Sequence, residues 1–265
     1  MNTVKSLVKN RYVLHELVRK RVKTQYRNSF LGMIWTILNP LLNMLVMWAV
    51  FTQFFGRDDP LYPVYLLTGN ILFSCLRGAT DGALASVVNN RGLLTRVKID
   101  SYLFPLSTTL ASLVNFAFSM IALLVIMLGM QIFGGHQIFS VRILMVFLML
   151  PAFVLFEYGI GLFLSALYVF FRDIKYLYSV FLTLWTYLTP IFYKVNTLAV
   201  GSFAAKLVKL NPMYYFVRFF RDAMYMGWSE YPWQDLGVLY FLGIVSVMIG
   251  VCVFKPLKKH FMMNI

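Results

Sequence analysis

Four basic residues, Lys20, Arg21, Lys23 and Arg27, crowd the approach to the first apolar stretch and form a patch suited to anionic lipid headgroups. A single carboxyl, Glu157, sits midway along a run of apolar residues. An ionisable group there is costly enough to need an interior position with a partner or a proton. Two roles fit it: a hydrogen-bonded packing role and a place on a conduction path. The aromatic residues, 17% of the chain, offer a third kind of chemistry. Flat rings suit the apolar faces of sugar rings, and Tyr hydroxyls pair with sugar hydroxyls. Trp35, Trp48, Phe51, Trp185, Tyr187, Tyr193, Tyr214 and Tyr215 are the candidates for a substrate path, while most other aromatics read as interface anchors or core filler.

Other chemistries find no residues to carry them. The chain has no Gly-x-x-x-x-Gly-Lys-Ser/Thr phosphate loop, no His-Glu-x-x-His, no Cys-x-x-Cys and no Gly-x-Ser-x-Gly. His15, His136 and His260 fall on different segments, which argues against a metal or acid-base site built from histidine. Cys75 and Cys252 both lie in apolar stretches and read as small fillers. The ten acidic residues form no constellation beyond the surface pair Asp58 and Asp59. The expectation is a chain with no catalytic site, no bound cofactor and no nucleotide hydrolysis of its own.

The elements that must position these residues are membrane helices. With 60% hydrophobic and 13% charged residues and a mean hydropathy of +0.73, the chain reads as an all-α polytopic membrane protein. A bilayer core needs roughly 20 apolar residues per helical span. Six stretches meet that ruler: 30–55, 61–80, 103–133, 143–171, 174–192 and 236–254. Arg77 and Asp81 interrupt the end of the second. With the N-terminus inside, 17 of the 24 Lys and Arg residues fall on cytoplasmic segments, so both ends are expected in the cytoplasm. The net charge of +14 then reflects topology and attraction to anionic lipid, not nucleic-acid binding.

Residues 1–29 lack the apolar core and cleavage site of a signal peptide. Within them Leu14, Leu17, Val18, Val22 and Tyr26 recur at helical spacing opposite Arg19, Lys20, Lys23 and Arg27, as in a helix lying in the headgroup plane. The segment 86–100, with Val87, Val88, Leu93, Leu94 and Val97 interleaved with Arg91, Arg96 and Lys98, is either a helix that docks on a partner or a hairpin held at the lipid surface. Asp173 is expected to cap the fifth helix. The outer segment 194–234 includes an aromatic stretch, Asn211 to Gly227, too short and too charged to span. It is expected to dip into the outer leaflet as re-entrant helices, a course tolerated only against protein or a water-filled cavity.

Several of these pieces recur together: the basic run into Tyr26-Arg-Asn-Ser-Phe-Leu-Gly-Met-Ile-Trp35, Leu38-Asn-Pro40, Asn89-Asn-Arg-Gly-Leu-Leu94, Phe104-Pro-Leu106, Phe171-Arg-Asp-Ile174, Leu188-Thr-Pro-Ile-Phe-Tyr193 and Asn211-Pro-Met213. In this order they resemble the permease subunits of type-2 ATP-binding-cassette exporters that carry lipid-linked polysaccharide, O-antigen, capsule or wall teichoic acid out of bacteria. The resemblance covers essentially the whole chain. It implies a homodimer in the bacterial cytoplasmic (inner) membrane, with a six-span domain over residues 30–265 and two separate nucleotide-binding subunits that hold ATP and Mg. It also implies a coupling helix that meets the ATPase, placed on Asn90, Arg91, Leu93, Leu94, Arg96 and Lys98. The channel would run along the dimer interface and admit an undecaprenyl-pyrophosphate-linked glycan, drawn in by Lys20, Arg21, Lys23 and Arg27. Rival readings are a drug or small-lipid exporter of the same architecture, an ion-coupled secondary transporter and a membrane glycan enzyme. The last two lack their usual buried ionisable groups, repeats or paired carboxylates.

Overall fold

The computed structural model describes residues 10–26, 32–55, 59–96, 99–134, 141–195, 202–227 and 232–261; side chains at 26, 33, 51–55, 96, 133 and 134 are outside the description. All regular structure among these residues is helical. In chain order the helices are α1 (Arg11–Tyr26), α2 (Trp35–Phe55), α3 (Tyr62–Leu84), the short α4 (Ser86–Asn89) and α5 (Arg91–Arg96), and then α6 (Leu103–Gly134) and α7 (Met145–Phe170). They continue with α8 (Ile174–Leu188), α9 (Phe203–Leu210), α10 (Pro212–Arg221) and α11 (Pro232–Leu257). Three stretches are long and apolar enough to cross a membrane: Leu103–Ile132, Val141–Phe170 and Pro232–His260.

Two of the expected spans have different limits, for local reasons. α3 runs on to Leu84, because Arg77 and Asp81 project from it instead of breaking it. α8 stops at Leu188: Thr189 precedes Pro190 and is held extended at φ −82°, ψ 132°, where a helix cannot continue. Asp173 occupies the N-cap position of α8, but its side chain makes no capping hydrogen bond, so only its charge can act on the helix dipole.

The most extensive helix contact is between α7 and α11. Small residues bring the backbones together: a Cβ at Gly159 or Gly250 would run into the facing helix's backbone, and one at Gly243 would lie 2.7 Å from the Ala152 carbonyl oxygen. Ser246 Oγ donates to the Phe156 carbonyl (2.8 Å) across the same seam. α3 is enclosed by α2, α6, α7 and α10. At its Leu84 end, Val87, Phe104, Leu162, Phe254 and Phe261 form a second apolar cluster, against which Leu17, Leu93 and Leu94 pack. α1 lies on α6 with Leu14, Leu17, Val18 and Val22 half-buried, while Arg19, Lys20 and Lys23 are exposed.

Candidate functional site

α3 is apolar and buried around most of its circumference, yet one side is open, and the residues on it are polar or small. Ser74, Arg77, Gly78 and Asp81 are exposed and Asn70 half-buried, at the three- and four-residue steps that place them along one face. Arg77 donates from Nη2 to Thr186 Oγ1 of α8 (3.1 Å), and its guanidinium stands 5.9 Å from the Phe73 ring. Beside the stripe a cleft of about 320 Å³ opens between α2, α3 and α6. Its walls carry Asn39 and Asn43 from α2, Asn70 and Ser74 from α3, and Ser112, Asn115 and Ser119 from α6, with Gln25 of α1 and Trp35 at its edge.

No charged side chain is among the described residues lining this cleft. Amides and hydroxyls both donate and accept, which suits an uncharged cargo rich in hydroxyl groups. Some of this capacity is used internally: Ser112 Oγ donates to the Cys75 carbonyl (2.7 Å), and Asn115 Nδ2 donates to Gln25 Oε1 (3.1 Å). A larger cleft of about 500 Å³ between α7, α8 and α11 is lined almost wholly by apolar chains such as Phe156, Ile160, Phe163 and Leu184, and offers a polar cargo little to bond to.

At the Tyr62 end of α3, the bend after α8 is tied down by side chains from three elements. Trp185 Nε1 donates to Asn211 Oδ1 (2.7 Å), and Asn211 Nδ2 donates to Thr189 Oγ1 (2.9 Å). The same Asn211 oxygen accepts the Met213 amide (3.0 Å) and caps α10. The Tyr62 hydroxyl donates to the Phe192 carbonyl (2.8 Å), and the Tyr65 hydroxyl reaches the carbonyls of Pro190 and Tyr193.

Arg221 is the centre of this junction, only 4% exposed. It donates to the Pro190 carbonyl (2.7 Å), the Tyr65 carbonyl (3.0 Å) and Thr68 Oγ1 (3.4 Å), and stacks 3.5 Å from the centre of the Tyr65 ring. Carbonyl dipoles and a π face thus solvate the charge where water does not. Gly69 makes room, since a Cβ there would lie 2.7 Å from Arg221 Nη2. Arg221 is not among the candidates named from the sequence, although an Arg inside the aromatic stretch from Asn211 to Gly227 carries the same signal as Glu157. Outside the spans, burial raises the Asp59 carboxyl, but the hydrogen bonds from Lys194 and the Leu61 amide outweigh it and leave the group below its usual value.

The expected path residues do not converge on one place. Trp35 borders the polar cleft, and Trp48 is exposed on α2. The side chain of Phe51 lies outside the described residues. Trp185, Tyr193 and Tyr214 belong to the junction; the Tyr193 hydroxyl donates to the Leu188 carbonyl (3.2 Å). The Tyr187 ring is exposed beside Phe192, and the Tyr215 hydroxyl donates to the Lys209 carbonyl (2.9 Å). Glu157 is fully buried, and neither of its oxygens has a hydrogen-bond partner among the described residues. Its polar neighbour is the Cys75 thiol, and Cys75 also lines the cleft, so Glu157 stands directly behind the cleft wall.

In the 86–100 segment, Asn90 Nδ2 donates to the Ser86 carbonyl (2.8 Å). Leu93 and Leu94 are half-buried on the second cluster, leaving Asn89, Arg91, Gly92 and Thr95 exposed. Only the backbone is described at Arg96, and Lys98 lies outside the described residues. Of the basic patch, Lys20 and Lys23 are exposed, Arg27 lies outside the described residues, and Arg21 turns inward so that its guanidinium covers Gly82 near Asp81.

The chain is similar to the O-antigen export system permease protein RfbA of Myxococcus xanthus, 30% identical over 97% of both chains. It is 25% identical to RfbA of Klebsiella pneumoniae over 92% of both chains. It is also 25% identical to the capsule polysaccharide export inner-membrane protein CtrC of Neisseria meningitidis, over 97% of this chain and 95% of that one. The family model for the ABC-2 type transporter matches residues 12–225, and the chain belongs to that family.

Proposed function

We propose that this chain is the membrane permease of an ATP-driven exporter that moves a polysaccharide, held on a lipid pyrophosphate carrier, across the bacterial inner membrane. The observation that carries the reading is the uncharged polar cleft beside the open stripe of α3, set in an otherwise apolar helical protein. Asparagine and serine facing out of a membrane helix are costly against lipid and favourable against a hydrated path. The names of the relatives point to the same class of cargo.

On this reading α2, α3, α6, α7, α8 and α11 are six spans with both chain ends in the cytoplasm. Two copies face each other across the stripe, and α9 and α10 re-enter from the outer side. α4 and α5 form the coupling element. Their apolar side holds the second cluster, and the exposed Asn89, Arg91 and Thr95 are the surface offered to a separate nucleotide-binding subunit. ATP and Mg sit on that subunit, so closing it pushes α4 and α5 and, through Val87 and Phe104, the ends of α3, α6 and α7. Lys20 and Lys23 hold the carrier's phosphates at the inner leaflet. Arg21 supports the docking of α1.

The test is glycan export by cells that depend on this chain and its partner ATPase. Ser74→Leu and Asn43→Leu should abolish surface glycan while the protein inserts normally and still supports ATPase activity in lipid nanodiscs. Normal export by both variants would remove the cleft from the path.

A further inference from the structure

A second polar site lies at the far end of α3 from α1. We propose that the pocket between α10 and the bend after α8 binds a single sugar ring, as a stopping point for the glycan on the outer side. The inference rests on the exporter reading above and adds a site to it.

The pocket measures about 190 Å³ and is lined by Tyr65, Lys194, Tyr214, Arg218, Arg221 and Asp222, among others. Drug-sized ligands need roughly 300–1,000 Å³, so this one is sized for one ring and not for a chain segment. Its lining combines aromatic rings with a carboxylate and a guanidinium, groups that respectively cover a sugar's apolar face and pair with its adjacent hydroxyls. Tyr214, Arg218 and Asp222 follow at four-residue steps, so α10 and the π-turn after it (Asp222–Met226) present them together. The opposite face, with Met213, Phe216, Val217 and Phe220, is buried in the core and fixes their direction.

These groups retain hydrogen-bonding capacity. Arg218 lies 3.7 Å from Asp222 Oδ2 and 3.9 Å from Asp235 Oδ2, attracted but beyond hydrogen-bond length. Lys194 is paired with Asp59 and Arg218 faces Asp222 and Asp235, so with Arg221 three cations meet three carboxylates and the charge balances. Balance favours a neutral polyol over a phosphate.

The probe is a panel of free hexoses and N-acetylhexosamines, with inorganic phosphate as a competitor, read by saturation-transfer NMR on the full chain in nanodiscs. Ring protons of at least one sugar should receive saturation. Asp222→Asn and Tyr214→Ala should each weaken that sugar's apparent affinity roughly tenfold, the effect of losing one hydrogen bond to a charged group or one stacking face. Thermal melts of both variants check folding, and Ser74→Leu in the distant cleft should leave the junction signal in place. Saturation that is absent, equal in both folded variants, or abolished by phosphate would overturn the pocket. Glycan export by the wild-type chain without sugar binding here would sink this inference alone. Sugar binding without export would sink the exporter reading and leave the pocket standing.

Discussion

The α7–α11 pair and the open side of α3 are built on opposite rules. Along α7 and α11 small residues let two apolar helices touch backbone to backbone, so the seam itself has no room for an added side chain. Along α3 the exposed positions carry Ser74, Arg77 and Asp81, and a cleft of about 320 Å³ stands beside them. Bulk is what the first region cannot accept, and loss of polarity is what the second cannot accept. A transporter needs both: a rigid spine, and a surface that a hydrated cargo can slide along without binding tightly.

Substitutions separate the two. The largest effect is expected from Gly159→Leu, whose side chain has nowhere to go but into the backbone around Ser246; a loss of more than about 3 kcal/mol, or failure to accumulate, should appear in thermal unfolding in detergent. Arg221→Met comes next. It leaves the Pro190 and Tyr65 carbonyls without their buried donor and should cost about 2–3 kcal/mol by the same assay. Arg77→Met should change stability by less than about 1 kcal/mol, since its bond to Thr186 is exposed, yet it should cut glycan export sharply. That divergence between stability and transport is the signature of the open side; parallel loss of both would erase the distinction.

The smallest effect is a pH dependence. Burial, partly opposed by Arg218, raises the Asp222 carboxyl to about 6. A carboxyl raised in the folded state favours folding most when protonated, so its contribution is present at low pH and is lost as pH rises from about 4 through about 6. The melting temperature of Asp222→Asn should therefore be flatter than wild type across that window, and an unchanged slope would show that Asp222 is not the group responsible.

Much of the fold was legible because apolar length is a one-dimensional signal. The stretches at 103–133, 143–171 and 236–254 match α6, α7 and α11 within a few residues at nearly every end, and in α1 Leu14, Leu17, Val18 and Val22 are half-buried while Tyr12 is exposed. The site was less legible. Trp35 was singled out for its ring, but the cleft beside it is made by Asn39, Asn43, Ser112, Asn115 and Ser119, each unremarkable in its own helix and significant only once three helices meet. Arg221 shows the same limit, because its solvation by the carbonyls of Tyr65 and Pro190 depends on contacts more than thirty residues away in sequence. Glu157 was legible as a buried group, but its position behind Cys75 was not.

On the exporter reading, the open side of α3 faces water inside the membrane. Cysteine accessibility tests it directly: in a Cys75→Ser, Cys252→Ser background, Asn70→Cys, Ser74→Cys and Gly78→Cys are compared with Phe241→Cys and Met248→Cys on the exposed apolar face of α11. A membrane-impermeant thiol reagent applied to the assembled transporter should modify the α3 positions quickly and leave the α11 positions unmodified. An α3 stripe as unreactive as Met248→Cys would mean that this side of the helix does not face water.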